Sequence, residues 1–146
     1  MTHILVRAEC RDNEKRVGIT PLEAKNLLKL GFKVSIEESK SRIIPISKYR
    51  DVGCEIVKEN SWPNAPLETI IFGLKELPEY PFPLKHRHIM FGHAFKGQPT
   101  AKNLLNRFKV GGGALYDIEY LVSHNGKRVA AFGYWAGYAG AAVTIS

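Results

Sequence analysis

The sequence is poor in the features that most quickly classify a chain. Its 146 residues hold two cysteines, Cys10 and Cys54, without metal-site spacing or a partner framework. Free thiols of this kind suit a reducing compartment. The N-terminal MTHILVRAE has neither a charged n-region nor a long apolar core. Together these features predict a cytoplasmic protein without a signal peptide. Blocks of like charge are missing too. The formal charge is +7 and the pI about 9.5, yet basic residues alternate with acids, as in ECRDNEKR and KELPEYPFPLKHRH. No nucleic-acid-binding signature accompanies them, so the balance favours an anionic small molecule over a nucleic acid or a membrane.

No G-x-G-x-x-G turn occurs, which removes the usual dinucleotide fingerprint. Gly111-Gly112-Gly113 lacks that spacing and is read as a turn before a strand at Ala114-Leu115-Tyr116. Charge disappears altogether from Val129 to Ser146. That segment approaches the length of a membrane span. Its Gly133, Gly137 and Gly140, set among Tyr134, Trp135 and Tyr138, are instead close-packing chemistry. A helix buried against protein is expected there.

What is present fits one soluble α/β domain, with 45% apolar and 24% charged residues. His3 to Arg7 reads as a first strand, followed by a polar segment to Gly18. Thr20 then caps a helix with Pro21 at its first position and Glu23 completing a capping box. Leu22, Leu27, Leu28 and Leu30 supply its expected apolar stripe, and Gly31 ends it. Phe32 to Glu37 is a second strand, closing a right-handed βαβ unit. A short helix is predicted over Ser47 to Val52, a brief strand over Cys54 to Val57, and a loop over Ser61 to Pro66. Pro99-Thr100 opens a further helix with Leu104, Leu105 and Phe108 on its apolar face. Asn125-Gly126 between two apolar runs signals a type I′ hairpin.

The chemistry concentrates in Ile70 to Lys96. Ile70-Ile71-Phe72 and Leu74 form a run suited to a strand buried on both faces, and it stops at Lys75-Glu76. His88 to Gly92 is a second such run, stopping at His93. Pro78, Pro81 and Pro83 forbid regular structure between them. If the two runs are neighbouring parallel strands, Lys75 and His93 meet at their carboxyl ends, where open α/β sheets bind ligands. A lysine and a histidine facing one cleft make a plausible acid/base pair. On pattern alone, a solvated strand end is the commoner meaning of Lys75-Glu76. Glu76 and Glu119 are candidates to tune the pair, and Arg16 and Arg128 to grip carboxylates bidentately. His86 and His88 share a strand face that His93 does not, so a metal site is not expected.

The segments RVGITP (Arg16 to Pro21), FGLKELP (Phe72 to Pro78), HIMFGHAFK (His88 to Lys96), LYDIEYL (Leu115 to Leu121) and KRVAAFGYWAGYAGAA (Lys127 to Ala142) occur in order. Together they resemble the amino-terminal domain of the NAD-dependent, L-lysine-forming saccharopine dehydrogenases. The RVGITP and LKE elements are shared with the wider alanine dehydrogenase and transhydrogenase superfamily. The resemblance implies a Rossmann-like, three-layer domain with a mostly parallel sheet. It implies oxidative deamination of saccharopine to lysine and 2-oxoglutarate, within lysine biosynthesis.

Residue by residue, Lys75 matches the base on the secondary amine and His93 the acid/base for hydration and collapse. Glu76 and Glu119 match the carboxylates that set their charge. Arg16 and Arg128 match substrate-carboxylate arginines, and Lys96 matches a further substrate-side lysine. NAD is expected on a second, Rossmann-type domain that these residues do not include. Residues 1–128 are then the substrate-side domain, and 129–146 begin the interdomain helix. On this reading the chain is a fragment, inactive alone. Its partners are saccharopine (or lysine and 2-oxoglutarate) and the absent domain, or another copy through the 129–146 helix. Two other readings stay open: the same domain of an alanine dehydrogenase-like enzyme, and a stand-alone amino-acid- or anion-binding domain.

Overall fold

A computed structural model describes residues 1–93, 99–120 and 122–127. Lys96, Arg128 and the 129–146 segment lie outside the described residues. The described residues form one sheet of six strands: β1 (His3–Val6), β2 (Lys33–Glu37), β3 (Glu55–Val57), β4 (Ile70–Phe72), β5 (Arg87–Met90) and β6 (Ala114–Asp117). Every pairing is parallel, in the order β3-β2-β1-β4-β5-β6. That is the doubly wound order, whose direction reverses between β1 and β4. Among the described residues no helix is long and apolar enough to cross a membrane.

Helix α1 (Pro21–Lys29) starts as its sequence predicts. Thr20 accepts from the Glu23 N–H, and the Glu23 carboxylate accepts from the Thr20 N–H in return. Gly31 follows at φ +91°, a conformation that disfavours side chains bearing a Cβ. The apolar stripe differs from expectation. Ala24 is the residue wholly buried, with Leu27 and Leu28 packed beside it, while Leu22 and Leu30 face solvent. Helix α2 (Ile46–Asp51) buries Tyr49 beside α1, and the Tyr49 hydroxyl donates to the Ile19 carbonyl at 2.7 Å.

Helix α3 (Pro99–Gly111) covers the opposite sheet face with Phe108 and Leu104. Leu105, expected on that apolar face, is exposed, and Ala101 is buried instead. Two apolar cores result, one per face. Val6, Val34 and Ile36 meet α1 and α2 on one side. Leu5, Ile71, Met90, Trp62 and Phe108 fill the other. Both faces are covered, so β2 loses any alternation: its last four residues are all buried. Each fully buried Ile or Val contributes on the order of 1.5–3 kcal/mol.

Gly111 ends α3, and Gly112 and Gly113 turn the chain into β6. Gly111 and Gly113 lie so close to the Leu84 and His86 backbone that a Cβ at either would collide with it. The Asn125-Gly126 turn is not type I′, because Gly126 has positive φ and Asn125 does not. Ser123 accepts from the Gly126 N–H and its own N–H donates to the Lys127 carbonyl, which is a type I turn extended by a left-handed glycine.

Candidate active site

The site begins with how β4 ends. Gly73 follows Phe72, and the Arg7 guanidinium occupies the place where a Cβ on residue 73 would sit. Arg7 leaves β1 fully buried, at 1% exposure. It donates from Nη2 to the Lys75 carbonyl and from Nη1 to Ala8 O at 3.3 Å, and it lies 3.7 Å from Glu9 Oε1. Glu9 in turn accepts from the Leu74 N–H at 3.1 Å and the Lys75 N–H at 2.7 Å. Both backbone groups of Lys75 are therefore held by side chains from the end of β1. Glu37, closing β2, is also buried and accepts from the Ala8 and Trp62 N–H groups, each at 2.8 Å. Burial pushes its carboxyl above the usual value, against the pull of those bonds and of Arg7.

The β4–β5 ladder continues past both strands, with Gly73 N–H on Ile89 O at 3.0 Å and Phe91 N–H on Leu74 O at 3.1 Å. This carries the chain ends forward side by side, and Lys75 and His93 line one cleft of about 690 Å³. His93 sits at φ +50°, an uncommon conformation for a residue with a side chain. Its Nδ1 lies 3.1 Å from Glu119 Oε2, and the Glu119 N–H is itself bonded to Asp117 Oδ1 at 3.1 Å. A carboxylate at Nδ1 favours the tautomer protonated there, leaving Nε2 as the acceptor in neutral imidazole. Among the described residues the Lys75 ammonium has no hydrogen-bond or ion-pair partner.

The other expected site residues separate. Glu76 lines the cleft, paired with Arg11. Burial raises its carboxyl, but the Arg11 bond and the charges of Arg11 and Lys75 outweigh that and leave it below the usual value. Arg16 does not line the cleft. Its guanidinium grips Glu14 bidentately, at 2.8 and 2.7 Å. That bond, with the Lys75 charge in a minor part, lowers the Glu14 carboxyl to about 2. His86 and His88 point away from the cleft into the Trp62–Phe108 core. Sequence reasoning passed over Arg7 and Glu9 as positioning residues. Their signal was parity: Leu5, Arg7 and Glu9 continue one strand face beyond the apolar run.

The family model "Alanine dehydrogenase/PNT, N-terminal domain" matches residues 5–139. Among curated proteins, the "Saccharopine dehydrogenase [NAD(+), L-lysine-forming]" of Yarrowia lipolytica is 49% identical over 96% of this chain and 38% of its own length. That of Candida albicans is 50% identical over 96% of the chain and 37% of its own length. The chain thus spans well under half the length of these relatives. Among solved structures, an L-alanine dehydrogenase superposes with TM-score 0.67 at 20% identity, over 86% of this chain and 35% of that one. A transhydrogenase from Sinorhizobium meliloti gives 0.66 at 17%, over 82% and 36%.

Proposed function

The chain belongs to the alanine dehydrogenase/PNT N-terminal domain family, and from that premise we propose that it is the substrate-side domain of an NAD-dependent saccharopine dehydrogenase. The observation that carries the reading is the pairing of Lys75 with a carboxylate-held His93 at the ends of two adjacent parallel strands. Oxidative deamination of saccharopine to L-lysine and 2-oxoglutarate needs protons moved at a secondary amine and at a hydrated carbon. Two general acid/base groups with separate environments meet that need.

In this proposal Lys75, in its neutral form, takes the proton of the secondary amine. His93 takes a proton from the attacking water through Nε2 and returns it as the carbinolamine collapses. Glu119 stabilises the imidazolium formed on the way. Glu76 and Arg11 set the charge at the cleft mouth. Arg16 stays with Glu14 until a substrate carboxylate competes for its guanidinium. Lys96 and Arg128 complete the carboxylate-binding set. The reading of residues 1–128 as this domain, with 129–146 leading onward, belongs to the same proposal.

NAD, when bound, accepts hydride. The turn after β1, where a doubly wound fold would cradle pyrophosphate, is filled by the buried side chains of Arg7 and Glu9 and offers no such cradle. We therefore assign NAD to the length of protein that the relatives have and these residues do not match.

A chimera tests the reading: the 146 residues replace the matching part of the Yarrowia lipolytica relative. NADH formation from saccharopine, slowed about 10²–10⁴-fold by His93→Gln, is the expected result. Turnover of alanine and pyruvate in its place would favour an alanine dehydrogenase. Saccharopine binding without turnover in a correctly assembled chimera would leave a binding domain.

A further inference from the structure

The ionisable side chains of the cleft are not equivalent. Arg11 is paired with Glu76, and His93 with Glu119. Arg107, at 4% exposure, is occupied by backbone: its Nε donates to Phe82 O at 3.0 Å and its Nη2 to Pro81 O at 2.7 Å. Among the described residues this leaves Lys75 and Glu79 without a hydrogen bond or a close ion pair, though the Glu79 charge is felt at Arg107. Glu79 stands in the proline-rich connection between β4 and β5, followed by Tyr80 and Phe82, and all three line the cleft. Tyr80 is 78% exposed and Phe82 37%.

The connection has no helix or strand of its own, yet it is held firmly. Leu77 and Leu84 are buried at its two ends, Leu84 N–H donates to Arg107 O at 3.0 Å, and the Arg107 side chain holds the middle. The result is a positioned wall of two aromatic rings and one free carboxylate, on the same loop as Lys75.

We propose that this wall is the subsite for the aliphatic amino-acid arm of the substrate. Tyr80 and Phe82 lie against the methylene chain, and Glu79 receives the α-ammonium at its far end. The inference rests on the Lys75 reading, which puts the reacting nitrogen at the near end of that arm. The complementarity is chemical. A methylene chain gains from aromatic contact, an ammonium gains from a carboxylate, and ring faces also attract cations. Arg107 is a positioning residue, acting through the loop it holds.

The test compares L-lysine with 6-aminohexanoate, which keeps the skeleton and the terminal amine but lacks the α-ammonium. Each is titrated into the 146-residue chain to tens of millimolar, followed by amide NMR shifts. L-lysine is expected to move the Glu79, Tyr80 and Phe82 resonances. Glu79→Gln, a surface change that leaves the fold intact, should weaken lysine about tenfold and leave 6-aminohexanoate unchanged. No lysine-induced shift at the wall, or a lysine preference that survives Glu79→Gln, overturns the subsite. The parent reading is scored separately, by saccharopine turnover in the chimera. Turnover with an indifferent Glu79 sinks the wall alone, and wall binding without turnover sinks the parent reading alone.

Discussion

The two edges of the sheet handle polar side chains in opposite ways. At the amino edge, His3 has both ring nitrogens engaged, Nδ1 with Thr69 Oγ1 at 3.1 Å and Nε2 with Ser35 Oγ at 2.7 Å. Ser35 donates onward to Glu55 Oε2 at 2.7 Å, and Lys33 Nζ closes the row at 3.1 Å from the same oxygen. The row runs from Thr69, just before β4, across β1, β2 and β3, with each side chain bonded to the next. At the carboxyl edge, Arg7, Glu9 and Glu37 hold backbone, with the buried Arg7 Nε left without a hydrogen-bond partner among the described residues. Past them stand Lys75 and Glu79, which hold nothing within the described residues. A closed polar row fixes register; an open one, fixed from behind, is available for chemistry.

The comparison can be broken most sharply at Lys75. In the chimera, Lys75→Met should reduce saccharopine turnover by about 10²–10⁴-fold, the usual size of an acid/base contribution. The same change should alter stability in urea by no more than about 0.5 kcal/mol, because the ammonium makes no hydrogen bond or close ion pair among the described residues. A large loss of stability would place Lys75 among the structural residues.

Arg7→Met attacks the buried frame behind it. It strips a buried charge from Glu9 and a donor from the Lys75 carbonyl, so urea denaturation should show a loss of about 3–5 kcal/mol. A variant within about 1 kcal/mol of the parent would mean that Arg7 does not hold the site.

Acid should find a third point. His88 is buried between Trp62 and Phe108, at 5.1 and 5.5 Å between ring centroids, and among the described residues neither of its nitrogens is bonded. Burial, reinforced by the charges of Arg7, His86 and Arg107, lowers its pKa from 6.5 to about 3. Between those values the unfolded chain binds the proton and the folded chain does not. Stability therefore falls as pH drops through that window, by up to roughly 1.4 kcal/mol per unit. His88→Phe should flatten the slope measured by urea denaturation at pH 4, 5 and 6. An unchanged slope would assign acid sensitivity elsewhere.

The smallest effect is expected at the amino edge. Ser35→Ala removes one link from a row with no ligand role. It should lower stability by about 1–2 kcal/mol and leave chimera turnover untouched.

Much of the fold was legible because local signals agreed with one another. The Thr20–Pro21–Glu23 start, the Gly31 stop and the short β-branched runs each point to a βαβ unit, and all were found. The exposure of Leu22, Leu30 and Leu105 was not legible, because the stripe depends on where a neighbouring layer sits and small Ala24 and Ala101 allow closer approach. The turn at Asn125 was misread because the dipeptide leaves the turn length open, and here Ser123 bonds to both Gly126 and Lys127. At the site, parallel strand ends brought Lys75 and His93 to one cleft as their runs implied. The pairing of Arg16 was not legible, because a guanidinium near a cleft takes whichever carboxylate is nearest, here Glu14 two residues away.

The pH dependence of kcat/KM for saccharopine in the chimera tests the central claim most directly, because it reads proton transfer rather than binding. The account predicts that kcat/KM falls toward acid in the parent protein, because Lys75 and His93 both begin the reaction as proton acceptors. Lys75→Met and His93→Gln should each lower kcat/KM and make that fall shallower. Profiles in both variants that keep the parent's shape and height would contradict the assignment of acid/base chemistry to this edge of the sheet.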